Sequence, residues 1–135
     1  MKQQTRVIVV ALAATTQNDG VVHVTNGTPQ TGVLAVATSN LGSSDTITVG
    51  TNTGLATLPI AITICQTNPT SGACLQTPAA TVSTTISANA TPTFGIFVTA
   101  SNTVAFDPAN NRIFVTFTDS TNNIRGETSV AVETQ

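Results

Sequence analysis

The side chains able to do chemistry in this 135-residue chain are few: one imidazole, His23, six carboxylates, four basic groups and two cysteines. Nucleophilic hydrolysis would need His23 as general base, Asp19, Asp45 or Asp107 to orient it, and a Ser hydroxyl to attack. A lone histidine among alternating valines does not point to that convergence, and an exposed strand histidine is the expectation. The carboxylates Asp19, Asp45, Asp107, Asp119, Glu127 and Glu133 could supply a glycosidase pair. They fall in turns or beside strand ends, however, where solvated rim groups are usual. Asp107-Pro108-Ala109-Asn110-Asn111 and Asp119-Ser120-Thr121-Asn122-Asn123 gather oxygen ligands in short loops. Neither has the spacing of a calcium loop, so side-chain-capped turns are expected there. Lys2, the sole lysine, offers an isopeptide staple only a terminal candidate. No catalytic residue, cofactor or metal ligand is assigned.

Cys65 and Cys74 are different. They bracket Gln-Thr-Asn-Pro-Thr-Ser-Gly-Ala, a turn-forming run between two β-patterned stretches, and no other cysteine or second Cys/His pair competes for them. Asn68, Pro69, Ser71 and Gly72 favour turn geometry through side-chain capping, fixed φ or access to positive φ. The expectation is a disulfide pinning a hairpin, and with it an extracellular or cell-surface setting. In the chain-entropy model closure of such a loop stabilises by roughly 2.5–3 kcal/mol.

The elements that must position these groups follow from composition. Only 7% of residues are charged, against about 25% in ordinary soluble proteins. Hydroxyl and amide groups supply most of the polarity. Threonine, roughly a fifth of the chain, and valine suit pleated, half-buried surfaces. Net charge −2 with Lys2, Arg6, Arg112 and Arg125 as the only basic residues gives no footprint for a phosphate backbone, so nucleic acid is not expected as a partner. No apolar run approaches the ~20 residues of a membrane helix. The five phenylalanines, without Trp or Tyr, argue against a sugar-stacking platform and read as core. Asn26-Gly27-Thr28 and Asn89-Ala90-Thr91 match the N-glycosylation acceptor pattern, weakly informative in so Asn- and Thr-rich a chain.

Period-two alternation marks strands over Val21–Thr25, Val33–Thr38, Thr46–Val49, Pro59–Cys65, Thr81–Ile86, Thr93–Thr99 and Arg112–Thr118. Ile60, Ile62 and Ile64 share one face, as do Phe94, Ile96 and Val98, and Ile113, Val115 and Phe117. Gly50–Gly54 should break the chain, and Asn122-Asn123 should turn a two-residue hairpin into Ile124 and Thr128–Val132. Arg112 and Arg125 flank that hairpin and are placed to meet Asp119 and Glu127 as rim ion pairs. Val7–Ala13 is apolar on both faces and wants cover on each side. With Met1–Arg6 before it this stretch also has the outline of a signal peptide, but it is short for one, and a strand is expected. Eight to ten short strands between turns give an all-β chain over 1–135: an immunoglobulin-like β-sandwich of two mainly antiparallel sheets, with a jelly roll as runner-up.

From Leu58 onward the chain resembles immunoglobulin-like β-modules of bacterial secreted or surface repeat proteins. The likeness is carried by Leu-Pro-Ile-Ala-Ile-Thr-Ile-Cys-Gln-Thr-Asn-Pro-Thr-Ser-Gly-Ala-Cys-Leu, by Phe-Asp-Pro-Ala-Asn-Asn-Arg-Ile-Phe-Val-Thr-Phe and by Arg-Gly-Glu-Thr-Ser-Val-Ala-Val. It implies an extracellular module without catalytic residues. The expected function is that of a non-enzymatic structural subunit packing against neighbouring copies, with a monomeric adhesive or spacer domain as the alternative and a ligand-binding module or hydrolase as the reading from another class. Residues 1–14 add a sharper expectation: a strand carrying Val7, Val9, Val10 and Leu12 that leaves its own sandwich and completes a neighbour's, giving a homo-oligomer or filament by strand addition.

Overall fold

The computed structural model describes residues 6–25 and 30–134; Met1, Lys2 and the acceptor-pattern residues Asn26-Gly27-Thr28 lie outside them. Nine strands follow in order: β1 (Val9–Thr15), β2 (Val21–Val24), β3 (Gln30–Asn40), β4 (Asp45–Asn52), β5 (Ile60–Thr67), β6 (Val82–Ile86), β7 (Thr93–Ala100), β8 (Arg112–Thr118) and β9 (Ile124–Thr134). They form a four-stranded sheet ordered β1-β3-β7-β5 and a five-stranded sheet ordered β2-β9-β8-β4-β6. Every strand pairing is antiparallel except β2 with β9. The first sheet has the A-B-E-D order and the second contains G-F-C, so the molecule is an immunoglobulin-like β-sandwich. One departure stands out: β5, in the D position, precedes β6, which flanks β4.

The inward rows are the alternating apolar ones. Leu34 and Val36 of β3 sit opposite Ile96 and Phe94 of β7, and Ile64 of β5 opposite Ile96. Ile47, Val49, Ile113, Val115 and Phe117 face them from the second sheet, all buried. Phe94 and Phe117 meet edge to face across the sandwich, with centroids 5.8 Å apart. Each such fully buried side chain contributes about 1.5–3 kcal/mol. The row Ile60, Ile62, Ile64 is inward as the alternation requires, although only Ile64 is fully covered.

Several expectations are corrected. Gly50 does not end its strand: β4 runs on to Asn52 because β8 supplies partners, Gly50 opposite Thr116 and Asn52 opposite Phe114. The β8–β9 turn is the five-residue Asp119–Asn123 segment, and a register shift falls between Phe117 and Thr118. Within it only Asn122 takes positive φ. Only Phe94 and Phe117 belong to the core. Phe97 and Phe106 are exposed, and Phe114 is half-buried, because each lies on a loop or an outward row.

One flank of the sandwich is closed by close backbone approach. A Cβ on Gly126 of β9 would collide with Val9 of β1, and one on Gly32 of β3 would meet Val22 Cγ1 at 2.7 Å. One end is tied by Asn40, which is fully buried. Its Oδ1 accepts from the N–H of Ile8 (3.2 Å) and Gly42 (2.9 Å), and its Nδ2 donates to the carbonyls of Ser43 (2.9 Å), Ile86 (3.1 Å) and Ser87 (3.3 Å). A single amide thus joins the segment leading into β1, the β3–β4 turn and the end of β6.

Candidate functional site

The outward rows of the two sheets differ in chemistry. On the five-stranded sheet they are hydroxylic and charged: Thr46 and Thr48 hydrogen-bond Thr85 and Ser83 at 3.2 and 2.9 Å, and Arg112 donates to Ser129 and to the Pro108 carbonyl. The strands of the four-stranded sheet, β1, β3, β5 and β7, contain no Asp, Glu, Lys, Arg or His at all. An antiparallel sheet with one solvated face normally alternates apolar-in and polar-out. Here β1 and the residues leading into it turn Val7 and Val9 into the core and Val10 and Leu12 out to solvent, where Val10 and Leu12 are 52% and 70% exposed. Val33 and Phe97 join them from β3 and β7, at 39% and 36% exposed. The cover expected on both sides of Val7–Ala13 is present on the inner side only.

Register lays out the middle of this face. Leu12 pairs with Ala37, which pairs with Thr93, and Ala14 pairs with Ala35, which pairs with Gly95. Small residues flanked by large ones leave a trough of about 350 Å³, floored by Ala35, Ala37 and Gly95, with Leu12 on one rim and Phe97 and Pro69 on the other. The Thr67 and Thr93 hydroxyls beside it are 2.7 Å apart and satisfy each other. Converging polar groups of the kind that orient a small ligand are therefore not on offer.

The disulfide builds the far rim. Cys65 and Cys74 are joined, with Cα atoms 5.5 Å apart. Cys65 is buried beside Gly95, and Cys74 is exposed. The segment differs from a regular hairpin. Asn68 accepts from the N–H of Thr70 and Ser71 through its side chain and from Gly72 through its carbonyl. The return arm then forms with β5 only the isolated bridges Thr67–Cys74 and Ile64–Ala79 before crossing to the other sheet as β6. The whole arm from 68 to 81 is exposed, so the covalent bond and a few backbone hydrogen bonds hold it against the sheet.

The titratable groups gather elsewhere. His23 is half-buried, contrary to the exposed position expected, because it is held between two carboxylates: Nε2 lies 2.7 Å from Asp19 Oδ2 and Nδ1 3.5 Å from Glu133 Oε2. Of the three orienting candidates the structure brings Asp19 to it, on the β1–β2 turn; neither Asp45 nor Asp107 pairs with it in any ion pair found among the described residues. A carboxylate thus lies near each ring nitrogen, Asp19 within hydrogen-bond distance and Glu133 farther off. Asp107 is spent on its own turn, accepting from Asn110 Nδ2 and, through its carbonyl, from the N–H of Asn110 and Asn111.

Asp119 is not the solvated rim group expected. It is buried in the turn it organises, accepting at Oδ1 from the N–H of Thr121 and Asn123 and from the Thr121 hydroxyl, and at Oδ2 from Arg125 Nε at 2.6 Å. The Arg125–Asp119 pairing was anticipated; Arg112 instead serves Ser129 and Pro108. The Asn123 backbone N–H first, and then the Arg125 guanidinium, hold the Asp119 carboxyl well below its ordinary value of 3.8. The hydrogen bond from His23 lowers that of Asp19. A lowered folded-state value means that the unfolded chain binds the proton more readily, so these groups stabilise fully above their unfolded range and lose that contribution as pH falls through the folded one. The contribution of these two carboxylates should be level above about pH 5 and decline progressively below about pH 4. Asp119→Asn should flatten that acid limb, as read from urea midpoints across the pH range.

Among the described residues no helix is long and apolar enough to cross a membrane, and no group of three His, Cys, Asp or Glu side chains is placed to hold a metal ion. No family model and no curated protein matches the chain. Among solved structures it is similar to the CARDB domain of a Pyrococcus furiosus protein in complex with di-metal ions, at 13% identity over 100% of this chain and 99% of that one, TM-score 0.46. It is also similar to a β-glucosidase from Listeria innocua in complex with glucose, at 10% identity over 94% of this chain and 16% of that one, TM-score 0.40. A third is the Pseudomonas fluorescens alkylpurine DNA glycosylase bound to DNA containing an abasic site analog, at 10% identity over 97% of this chain and 30% of that one, TM-score 0.38. The immunoglobulin-like architecture rests on this chain's own strand order.

Proposed function

We propose that this chain is a non-enzymatic structural module of a bacterial secreted or surface protein, and that it works by packing against neighbouring copies of itself. The observation that carries the reading is the charge-free sheet, whose outward row exposes Val10, Leu12, Val33 and Phe97 together. Contiguous exposed apolar surface marks contact sites in soluble domains. A charged partner finds no counterpart on this face, whereas a second copy brings a surface equally free of charge, and little polar group desolvation opposes their meeting. The disulfide supports an oxidising, extracellular setting.

The same face bears on strand donation. The double apolarity of Val7–Ala13 is accounted for without leaving the chain: Val7 and Val9 fill the chain's own core, and Val10 and Leu12 belong to the contact face. Packing of intact sandwiches is therefore favoured over exchange of residues 1–14. Sedimentation equilibrium over a wide concentration range tests this. The expected result is a mass that rises reversibly with concentration and returns to monomer in Leu12→Lys, with the variant's circular dichroism unchanged. A chain that stays monomeric at every concentration would sink the proposal.

A further inference from the structure

Resting on that reading, we infer a specific pairing: two copies meet face to face through the charge-free sheet about a two-fold axis running along β3, and Leu12 of each copy seats in the Ala35–Ala37–Gly95 trough of the other. The face carries both halves of such a joint. Leu12 projects from the edge strand β1, and the trough lies across the neighbouring strands at the same height, since Leu12, Ala37 and Thr93 are in register. A two-fold axis parallel to the strands keeps height and exchanges the two sides of β3. It therefore lays β1 of one copy over β7 of the other and brings Leu12 above Thr93 and Gly95. Such an isologous contact needs one patch that complements itself, and it closes at two copies.

The small residues at the axis serve close approach. Ala35 and Ala37 face their own symmetry mates, while the large side chains, Leu12 and Phe97, stand on either side and interdigitate, as the inner rows of two packed sheets do. The Asn68–Gly72 turn, held to Cys65 through Cys74, is the wall that stops the seated leucine from sliding along the sheet. Size sets the strength. Four strands about 4.8 Å apart and eight residues long at about 3.4 Å each give a face on the order of 500 Å² in projection. A standard-size interface buries about 800 Å² per partner. The pair is thus weak and reversible, suited to a module held near its neighbour by other means.

The test separates this joint from general stickiness by a change of opposite sign. Ala37→Val and Ala35→Val add apolar surface at exposed strand positions that favour β-branched residues, and they fill the trough. A merely hydrophobic face would associate more strongly in these variants; a seated leucine is expelled. The expected result in sedimentation equilibrium is a dimer dissociation constant raised about tenfold or more by Ala37→Val and by Leu12→Ala. Unaltered or tighter association in Ala37→Val, with Leu12→Lys still monomeric, would overturn the seated geometry and leave the contact face standing. A parent chain without any association would overturn both.

Discussion

Asn40→Ala should cost about 3–5 kcal/mol of folding stability, as a shift of the urea midpoint at unchanged slope. The residue is fully buried and makes five hydrogen bonds. Truncation leaves the N–H groups of Ile8 and Gly42 and the carbonyls of Ser43, Ile86 and Ser87 short of a partner. Each buried group left unmatched costs about 1–3 kcal/mol, reduced where water enters or another bond substitutes. Asn40→Asp makes a sharper test. It keeps the size and the acceptor for Ile8 and Gly42 but turns a second oxygen toward three carbonyls, so near neutral pH it should be at least as damaging as alanine. A midpoint equal to that of the parent in both variants would show the amide to be dispensable.

Gly126→Ala should be strongly damaging for a change of one methyl, at the upper end of the roughly 1–3 kcal/mol of overpacking. The added methyl would fall on the backbone and Cβ of Val9, and neither can rotate away. Either β1 moves off β9, uncovering Val7 and Val9, or β9 shifts against β8. Backbone amides of Val9–Ala13 should then lose hydrogen-exchange protection before the rest of the first sheet. Uniform loss across both sheets would mean that the contact does not localise the strain.

Much of the interior was legible in the sequence. Inward rows such as Ile113, Val115 and Phe117 follow from period two alone, since one face of each strand must be dry. What alternation does not encode is which strands pair. The arm after Cys74 reads as the second half of a hairpin, yet β6 lies against β4, because partner choice is settled by packing between segments far apart in sequence. Asn40 was invisible for the same reason: its carbonyl partners Ile86 and Ser87 are 46 and 47 positions away. His23 was misplaced because its second carboxylate, Glu133, arrives only through the parallel β2–β9 pairing.

The contact face was half legible. Two apolar sides on Val7–Ala13 were visible and implied cover on both, but which side goes without cover depends on sheet order, which puts β1 at an edge. Phe97 shows the same difficulty: counted as core by type, it lies outward with Gly95 and Thr99, because alternation overrides hydrophobicity once Phe94, Ile96 and Val98 have taken the inner side.

The absence of ionisable groups from four whole strands has a thermal corollary. Adhesion through such a surface draws on water released from hydrocarbon, a driving force that fades in the cold and strengthens with moderate warming. It should be nearly indifferent to dilute electrolyte, because there are no surface ions on that side to screen.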